Sequence, residues 1–245
     1  MEFKDKVVLV TGSSRGIGRS IAISFAKEGA KVIINYNNSD IDAEITYDII
    51  SSYGNDCMVM KADVANEKDV KKMIDKIIEK YGRIDVLVNN AGIAIDAEFD
   101  EKTVDNWQQT LNTNVLGPFL TSKYAGKYMM NQEYGKIINI SSTNGINTIY
   151  PYSADYDASK AALINLTKNL AIQYAPYVNV NSVAPGWVDT LMNSELSKSY
   201  LRDEKEKILL KRFAEPEEIS NVVLFLASDK SRYITSEIIT VSGGL

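Results

Sequence analysis

The sequence contains no histidine and a single cysteine, Cys57. Without histidine there can be no histidine base, no serine–histidine triad and no histidine-ligated metal site, and one cysteine excludes an internal disulfide. If the chain is an enzyme, its proton chemistry must come from tyrosine, lysine or carboxylates. No apolar run approaches the roughly 20 residues that a membrane helix needs, and the first six residues show no signal-peptide pattern. We therefore expect a cytoplasmic protein.

The overall balance of residues is that of a soluble globular protein. The chain has 245 residues, of which 45% are hydrophobic and 24% charged, and a single α/β domain of this length is ordinary. The formal net charge of −5 argues against nucleic acid and anionic membranes as partners.

Short β-branched runs alternate with longer amphipathic stretches along the whole chain. The predicted strands are Lys6–Val10, Lys31–Tyr36, Asp56–Lys61, Ile84–Val88, Lys136–Ile140, Val178–Val183 and Ile238–Val241. The predicted helices are Gly16–Glu28, Ile41–Tyr53, Glu67–Tyr81, Val104–Met130, Tyr156–Tyr174 and Pro216–Ala227. Strict alternation with near-continuously apolar strands predicts a doubly wound parallel sheet of about seven strands, covered by helices on both faces. We expect one domain over residues 1–245, with the polar segment 187–212 as a flap over the bound ligand.

Three glycines follow the first predicted strand, in Thr11-Gly12-Ser13-Ser14-Arg15-Gly16-Ile17-Gly18. Glycine lets the backbone turn sharply and approach a ligand, and the next helix offers free N–H groups and partial positive charge at its N-terminus. The loop is therefore predicted to hold a diphosphate, although a strand-to-helix turn that binds nothing would look similar. Its spacing, Gly-x-x-x-Gly-x-Gly, departs from the usual Gly-x-Gly-x-x-Gly fingerprint.

A tyrosine and a lysine are spaced for one face of a helix in Tyr156-Asp157-Ala158-Ser159-Lys160. An ammonium beside a phenol favours the phenolate and lowers the pKa of the tyrosine, which would suit it to exchange a proton with a carbonyl or alcohol oxygen. Such a pair also arises by chance on solvated helices. Of the 14 tyrosines, however, only Tyr156 has a lysine four residues later.

Taken together, the motifs resemble those of the short-chain dehydrogenases/reductases. The segments that carry the resemblance occur in the family's order and spacing over essentially the whole chain: Thr11–Gly18, Asn89-Asn90-Ala91-Gly92, Asn114 with Gly117, Ser142, Tyr156-x-x-x-Lys160 and Pro185-Gly186. The resemblance implies a single-domain Rossmann fold that passes hydride between a nicotinamide cofactor and a carbonyl or alcohol. It also implies a homotetramer in which the two longest predicted helices pair between subunits.

The resemblance assigns catalytic roles to Asn114, Ser142, Tyr156 and Lys160. Tyr156 would be the acid in reduction, Lys160 would tune it and hold the nicotinamide ribose, and Ser142 would donate a hydrogen bond to the substrate oxygen. Ser141 competes for the role of Ser142, and either serine could instead cap the strand end. Asn114 resembles the asparagine whose backbone holds a water linked to the lysine. Ser142 and Tyr156 are 14 positions apart, one more than in the relatives closest in pattern, so the loop between them is expected to be reshaped.

The same resemblance fills in a cofactor site. The residues it assigns are Gly12, Ser14, Arg15, Gly16, Ile17, Gly18, Asp63, Val64, Asn90, Ala91, Gly92, Tyr156, Lys160, Pro185, Gly186, Val188 and Thr190. For Asp63 a helix N-cap is an equal alternative, and Asn89–Gly92 could be a plain turn.

Cofactor choice depends on the end of the second strand. An NAD enzyme usually has a carboxylate there, whereas this chain has Tyr36. A 2′-phosphate could accept hydrogen bonds from the polar residues that follow and charge from Arg15. NADP(H) is therefore favoured over NAD(H), although no arginine follows the strand. The residues concerned are Tyr36, Asn37, Asn38, Ser39 and Arg15.

Within the family, the overall pattern is most similar to that of the 3-oxoacyl-[acyl-carrier-protein] reductases of fatty-acid synthesis. An acidic carrier protein needs basic residues for docking, and in the flap they are interleaved with acids. The alternatives are a reductase or dehydrogenase of a small ketone, sugar or polyol, and a cofactor-binding redox sensor without catalysis. The substrate pocket is assigned to Ser142, Asn144, Tyr150, Trp187 and Met192.

Overall fold

The computed structural model describes residues 1–191 and 196–245. A single sheet of seven parallel strands runs through it in the order β3-β2-β1-β4-β5-β6-β7. The strands are β1 Val7–Val10, β2 Lys31–Tyr36, β3 Cys57–Lys61, β4 Val86–Asn89, β5 Gly135–Ile140, β6 Val178–Pro185 and β7 Ile238–Val241. The chain winds outward in both directions from β1, so the prediction of a doubly wound parallel sheet is confirmed.

Both faces of the sheet are buried, as the apolar strands predict. Successive side chains of a strand point to opposite faces, so Val8 and Val10 join one core and Val7 and Leu9 the other. The first core is completed by helices α1 (Gly16–Lys27), α2 (Asp40–Ser51) and α8 (Pro216–Ala227). The second is completed by α3 (Glu67–Tyr81), α5 (Gly117–Asn131) and α6 (Ala154–Tyr174).

The predicted single helix Val104–Met130 is wrong. The structure has helix α4 (Val104–Leu111), then a π-helical turn over Asn112–Leu116, then α5. Gly117 and Pro118 are the first two residues of α5, where proline is well tolerated because the first N–H groups of a helix have no helical partner. The break comes from the wider turn before it. Such turns often occur at functional sites.

The segment 187–212 contains helix α7 (Lys198–Lys207) and, at Val188, a β-bridge to Ala214. Met192, assigned above to the substrate pocket, lies outside the described residues. Over 1–191 and 196–245, no helix is both long and apolar enough to cross a membrane.

Candidate active site

The glycine loop leaves β1 where the strand order reverses, which is where open α/β sheets bind ligands. Gly12 has φ +61°, and a Cβ there would lie 2.8 Å from Ala91 Cα. A Cβ on Gly18 would lie 2.4 Å from Asn90 Nδ2 and from the Gly12 carbonyl oxygen. The neighbouring protein atoms at both positions leave no room for a side chain, so the sharp turn predicted for these glycines requires glycine here.

Two asparagines and a threonine hold this loop in place by hydrogen bonds. Asn90 Nδ2 donates to the carbonyls of Thr11 (2.9 Å) and Gly12 (3.0 Å), while Thr11 Oγ1 accepts from the backbone N–H groups of Asn90 and Ala91. The Gly12 N–H donates to Asn35 Oδ1, and the amide of Asn35 donates in turn to carbonyls of the third strand region. Asn35 is 1% exposed. Its place as a polar residue inside an apolar strand was a signal in the sequence that pointed to this role.

An open cleft of about 490 Å³ lies beside the glycine loop. Arg15 and Gly16 line it on one side, and Thr190 lines it on the other, close to Gly16. Arg19 also borders the cleft, but its guanidinium is held by Asp42, Thr46 and backbone oxygens. Arg15 is exposed and makes no side-chain hydrogen bond to any described residue.

The end of β2 does carry a carboxylate, contrary to the expectation that none is present. Tyr36 Oη donates to Asp40 Oδ1 across 2.7 Å, and Lys61 Nζ lies 2.9 Å from Asp40 Oδ2. These hydrogen bonds hold the pKa of Asp40 below its usual range. The acid comes from the first turn of α2 rather than from the strand, which is why the position after the strand did not reveal it. Asn37 and Asn38 are exposed, and Ser39 precedes α2 without a side-chain capping bond.

Asp63 and Val64 lie at the end of β3. The N-cap of α3 is Asn66, whose side chain accepts from the N–H groups of Lys68 and Asp69, so the capping alternative for Asp63 is wrong. Asp63 Oδ1 instead accepts from the N–H of Ala65. Val64 is buried, and a Cβ on Gly117 would lie 2.8 Å from its Cγ2.

Tyr156 and Lys160 share one face of α6, with Lys160 Nζ 5.4 Å from the centroid of the Tyr156 ring. Lys160 is 4% exposed and donates to the carbonyl oxygen of Ile140, the last residue of β5, across 2.8 Å. A Cβ on Gly92 would lie 3.5 Å from Lys160 Nζ. The pair therefore sits at the carboxyl end of the sheet, next to the segment that follows β4.

The pKa of Tyr156 lies above its ordinary value rather than below it, contrary to the prediction from spacing. Burial raises the pKa of Tyr156 to about 12, and a hydrogen bond with Ser142 offsets this only in part. Burial also lowers the pKa of Lys160 to about 8. The ammonium points toward the Ile140 carbonyl, and removal from water dominates the titration of both groups.

Asn114 lies in the π-helical turn and is fully buried. Its Oδ1 accepts from the N–H of Ile93, and its Nδ2 donates to the Ile93 carbonyl and to Ser159 Oγ, each across 2.9 Å. Ser159 Oγ donates in turn to the carbonyl oxygen of Tyr156. The wider turn thus directs Asn114 toward the segment after β4 and toward α6.

The two serines after β5 have different surroundings. Ser141 Oγ donates to the Val183 carbonyl and accepts from Ser182, so it joins β5 to β6 within the sheet. Ser142 instead faces Tyr156 and Asn144. This geometry favours the second serine for contact with a substrate. Asn144 was assigned to the pocket, but both ends of its amide are already engaged, with Ser142 and Asp157.

A buried ion pair joins the first turn of α6 to the segment before α4. Lys102 Nζ lies 2.5 Å from Asp155 Oδ1, and their side chains are 3% and 0% exposed. Thr110 donates to the other carboxylate oxygen across 2.6 Å, and Lys102 also donates to the Ile95 carbonyl. Burial opposes ionisation of Asp155, but the bonds from Lys102 and Thr110 keep its pKa below the usual value. No local sequence pattern reveals this pair, because its partners are 53 residues apart.

Aromatic rings surround the mouth of the site. Trp187 stacks on Phe213 at 5.4 Å between ring centroids and meets Tyr200 edge-on at 6.2 Å. Tyr200 is 6.3 Å from Tyr150, and Trp187 Nε1 donates to Glu204. Of the residues assigned to the pocket, Tyr150 and Trp187 thus belong to one aromatic group.

Comparison with known proteins fits this geometry. A family model described as "Enoyl-(Acyl carrier protein) reductase" matches residues 12–245. A solved short-chain type dehydrogenase/reductase from Mycobacterium marinum is 34% identical, covers 99% of this chain and 96% of its own, and superposes with a TM-score of 0.91. The chain is a short-chain dehydrogenase/reductase. It is also similar to the solved structure of levodione reductase, at 30% identity and TM-score 0.94 over 99% of this chain and 98% of that one.

Among curated relatives, this short-chain dehydrogenase/reductase resembles the 3-oxoacyl-[acyl-carrier-protein] reductases of Aquifex aeolicus and Staphylococcus aureus. The first is 40% identical over 100% of this chain and 99% of its own. The second is 42% identical over 98% of each. The protein is accordingly an oxidoreductase of CH–OH and C=O groups that uses a nicotinamide cofactor. The tight backbone at Gly12 and Gly18, next to an open cleft, fits the diphosphate of such a cofactor.

Proposed function

We propose that this protein is an NADPH-dependent reductase of 3-oxoacyl thioesters, with Tyr156 as the proton donor. The observation that carries the proposal is the meeting of Ser142, Tyr156 and Lys160 at the carboxyl end of β5, beside the segment after β4. The thioester is suggested by the names of the relatives that are 40% and 42% identical over nearly the whole chain.

In this mechanism the bound cofactor supplies the hydride, and the side chains manage the proton. Tyr156, with a pKa of about 12, is protonated at neutral pH and can give its proton to the carbonyl oxygen. Lys160, with a pKa of about 8, is mostly charged at pH 7 and stabilises the phenolate that Tyr156 becomes. Ser142 supports the oxygen on which negative charge develops. Asn114 fixes the distance between α6 and the segment after β4 through Ser159 and Ile93.

The choice of NADP(H) is supported by the charges around the nucleotide end. Arg15 is an exposed cation beside the glycine loop. Asp40 would repel a 2′-phosphate if it stood alone, but Lys61 Nζ lies 2.9 Å away and balances its charge. The 2′-phosphate would accept from Arg15 and from Asn37 or Asn38.

Oxidation of NADPH, followed by its absorbance, tests this function directly. Acetoacetyl-CoA is the thioester substrate, NADH replaces NADPH in parallel, and Tyr156→Phe is the control that keeps the ring and loses the acid. We expect turnover of the thioester with NADPH that Tyr156→Phe largely abolishes. Absence of thioester turnover by the wild-type protein, when small ketones are reduced, would contradict the thioester assignment.

Reduction of a small free ketone is the second candidate, and the charges of the flap favour it. An acidic carrier protein needs free cations to dock. The flap cations are mostly paired or covered within the chain: Lys207 with Glu204 at 2.6 Å, Arg212 with Glu218 at 2.6 Å, Lys211 with Glu206 at 3.6 Å, Arg202 with Asp203 at 3.8 Å, and Lys205 over the Phe213 ring. The solved levodione reductase is a structural neighbour. A kcat/KM for small free ketones above that for acetoacetyl-CoA would select this candidate.

The assembly is proposed to be a homotetramer. Apolar side chains remain exposed on the helices expected to pair, with Phe119 of α5 42% and Ile172 of α6 79% exposed. Burying them between subunits would remove this apolar surface from water. Analytical ultracentrifugation at micromolar concentration should give a tetramer, and a monomer would contradict the proposal.

A further inference from the structure

The loop between Ser142 and Tyr156 is bonded to the first turn of α6 through Asn144 and Asp157. Asn144 Nδ2 donates to Asp157 Oδ1 across 2.7 Å, and the backbone N–H of Tyr150 donates to Asp157 Oδ2 across 3.0 Å. On its other side, Asn144 contacts Ser142 twice. Its backbone N–H and its amide oxygen each lie 3.2 Å from Ser142 Oγ.

Chemistry fixes the direction of these bonds. An ionised carboxylate only accepts, so the amide nitrogen of Asn144 faces Asp157 and the amide oxygen faces Ser142. That oxygen also only accepts, so Ser142 donates its proton to it. The N–H of Asn144 takes one lone pair of Ser142 Oγ, and the same serine hydroxyl lies within hydrogen-bonding reach of Tyr156. Asp157 thus determines the orientation of the serine hydroxyl through Asn144.

We propose that Asn144 and Asp157 are positioning residues that hold the Ser142 hydroxyl oxygen against Tyr156. This role rests on the proposed function, in which Ser142 and Tyr156 face the substrate carbonyl. When the Ser142 O–H turns from the Asn144 amide oxygen to a substrate oxygen, the hydrogen bond from the Asn144 backbone N–H still holds the serine oxygen in place. The arrangement is a feature of the Thr143–Asp155 loop, which is one residue longer than the resemblance led us to expect.

A merely structural role for Asp157 is the competing explanation. Asp157 lies in the first turn of α6, where any carboxylate stabilises a helix by its charge. The two explanations differ in what an exchange of the pair should do. The helix needs only a negative charge at its N-terminus, whereas the Ser142 hydroxyl needs an acceptor at position 144 and a hydrogen bond between positions 144 and 157 that holds this acceptor in place.

The test therefore exchanges the two side chains. Asn144→Asp alone places two carboxylates face to face, which raises the pKa of one and makes the loop sensitive to pH. Adding Asp157→Asn restores every bond: the new amide donates to position 144 and accepts from the Tyr150 N–H, while the new carboxylate accepts from Ser142. Asn147→Asp is the matched control, because it adds the same charge to an exposed position of the same loop.

The measured quantity is kcat relative to wild type at pH 6 and pH 8.5, with the ketone or thioester that the wild-type protein reduces fastest. We expect Asn144→Asp to be about tenfold slower at pH 8.5, where both facing carboxylates are charged and one has no partner. The loss should be smaller at pH 6. The exchanged double variant should return to within about threefold of wild type at both pH values, and Asn147→Asp should match wild type. A double variant as slow as Asn144→Asp, with unchanged thermal midpoint and NADPH binding, would overturn the proposal.

Two further measurements keep the outcome decisive. If Asn144→Asp alone does not fold, Asp157→Asn is the starting variant, and adding Asn144→Asp must then speed the reaction. If wild-type protein reduces no carbonyl compound, the proposed function fails by itself. The positioning is then read from the Cζ resonance of Tyr156 in ¹³C-tyrosine-labelled protein, assigned with Tyr156→Phe. That resonance should move in Asn144→Asp at pH 8.5 and return in the double variant, and an unmoved resonance would refute the positioning.

Discussion

The two ends of the binding cleft are built in different ways. At the catalytic end, Asn114, Ser159 and Lys160 are buried and hydrogen-bonded within the protein before any ligand arrives. At the nucleotide end, Arg15 and Asn37 are exposed, and their side chains make no hydrogen bond to any residue of the described ranges. The first end is organised by the fold. The second end is left for the ligand to organise.

Because of this difference, substitutions at one end should change folding stability, and substitutions at the other end should change cofactor affinity. Buried polar groups are costly to leave unpaired, so changes at the catalytic end should reduce both folding stability and turnover. Exposed groups contribute little to the folded state, so changes at the nucleotide end should alter cofactor binding alone. The four predictions below test this separation, in order of decreasing expected effect.

Removal of one partner from the buried pair Lys102–Asp155 should have the largest effect. Lys102→Met leaves the Asp155 carboxylate buried without its cation, and we expect a loss of about 3 kcal/mol in the free energy of unfolding. Urea denaturation at pH 7 measures it. Lys102→Met combined with Asp155→Asn removes both charges and should recover part of the loss. An unchanged denaturation midpoint in the single variant would show that the Lys102–Asp155 pair does not stabilise the catalytic end of the cleft.

Loss of the Tyr156 hydroxyl should affect chemistry without affecting the cofactor. Tyr156→Phe should lower kcat at least about 100-fold, the scale of a lost general acid, with NADPH affinity nearly unchanged. Stopped-flow turnover and NADPH fluorescence give the two quantities. Turnover close to that of wild type would remove Tyr156 from its assigned role.

The pH dependence of reduction should follow Lys160. Its pKa of about 8 means that the ammonium is largely present at pH 7 and is lost as the pH rises through 8, while Tyr156 stays protonated. We expect kcat/KM to fall about tenfold between pH 7 and pH 9. Lys160→Arg keeps its charge over this range and, though slower, should show no such fall. A flat profile in the wild-type protein would mean that the charge of Lys160 is not required.

Arg15 should give the smallest effect, confined to the nucleotide end. Arg15→Ala removes a cation beside the expected 2′-phosphate and should weaken NADPH binding about fivefold, with NADH affected little. The thermal midpoint should stay that of wild type. Isothermal titration with both nucleotides decides the point, since equal losses for NADPH and NADH would exclude Arg15 as the residue that recognises the phosphate.

The sequence predicted the sheet because its strands are apolar and β-branched on both faces, as at Val7–Val10, and because helices separate them. The tight turn of the glycine loop was predictable because Gly12 and Gly18 lie where an apolar strand is followed by a helix. Contacts that depend on the tertiary structure were not predictable: the Lys102–Asp155 pair, and the hydrogen bonds that Tyr36 and Lys61 donate to Asp40 at the end of β2.

Two errors of the sequence analysis have physical causes that spacing does not contain. The pKa of Tyr156 is governed by burial more than by its neighbouring lysine, and burial depends on the whole tertiary structure. The π-helical turn at Asn112–Leu116 is invisible to an apolar pattern because it interrupts the helix by the width of one residue.

The π-helical turn also restricts how the length of this chain can change. Deleting one residue within Asn112–Leu116 would allow an ordinary α-helix, but each residue of such a helix turns it by about 100°. Either Asn114 would then leave Ile93 and Ser159, or α5 would turn its apolar face away from the sheet. At least one of these two losses is therefore unavoidable. Insertions and deletions should therefore be excluded from this turn.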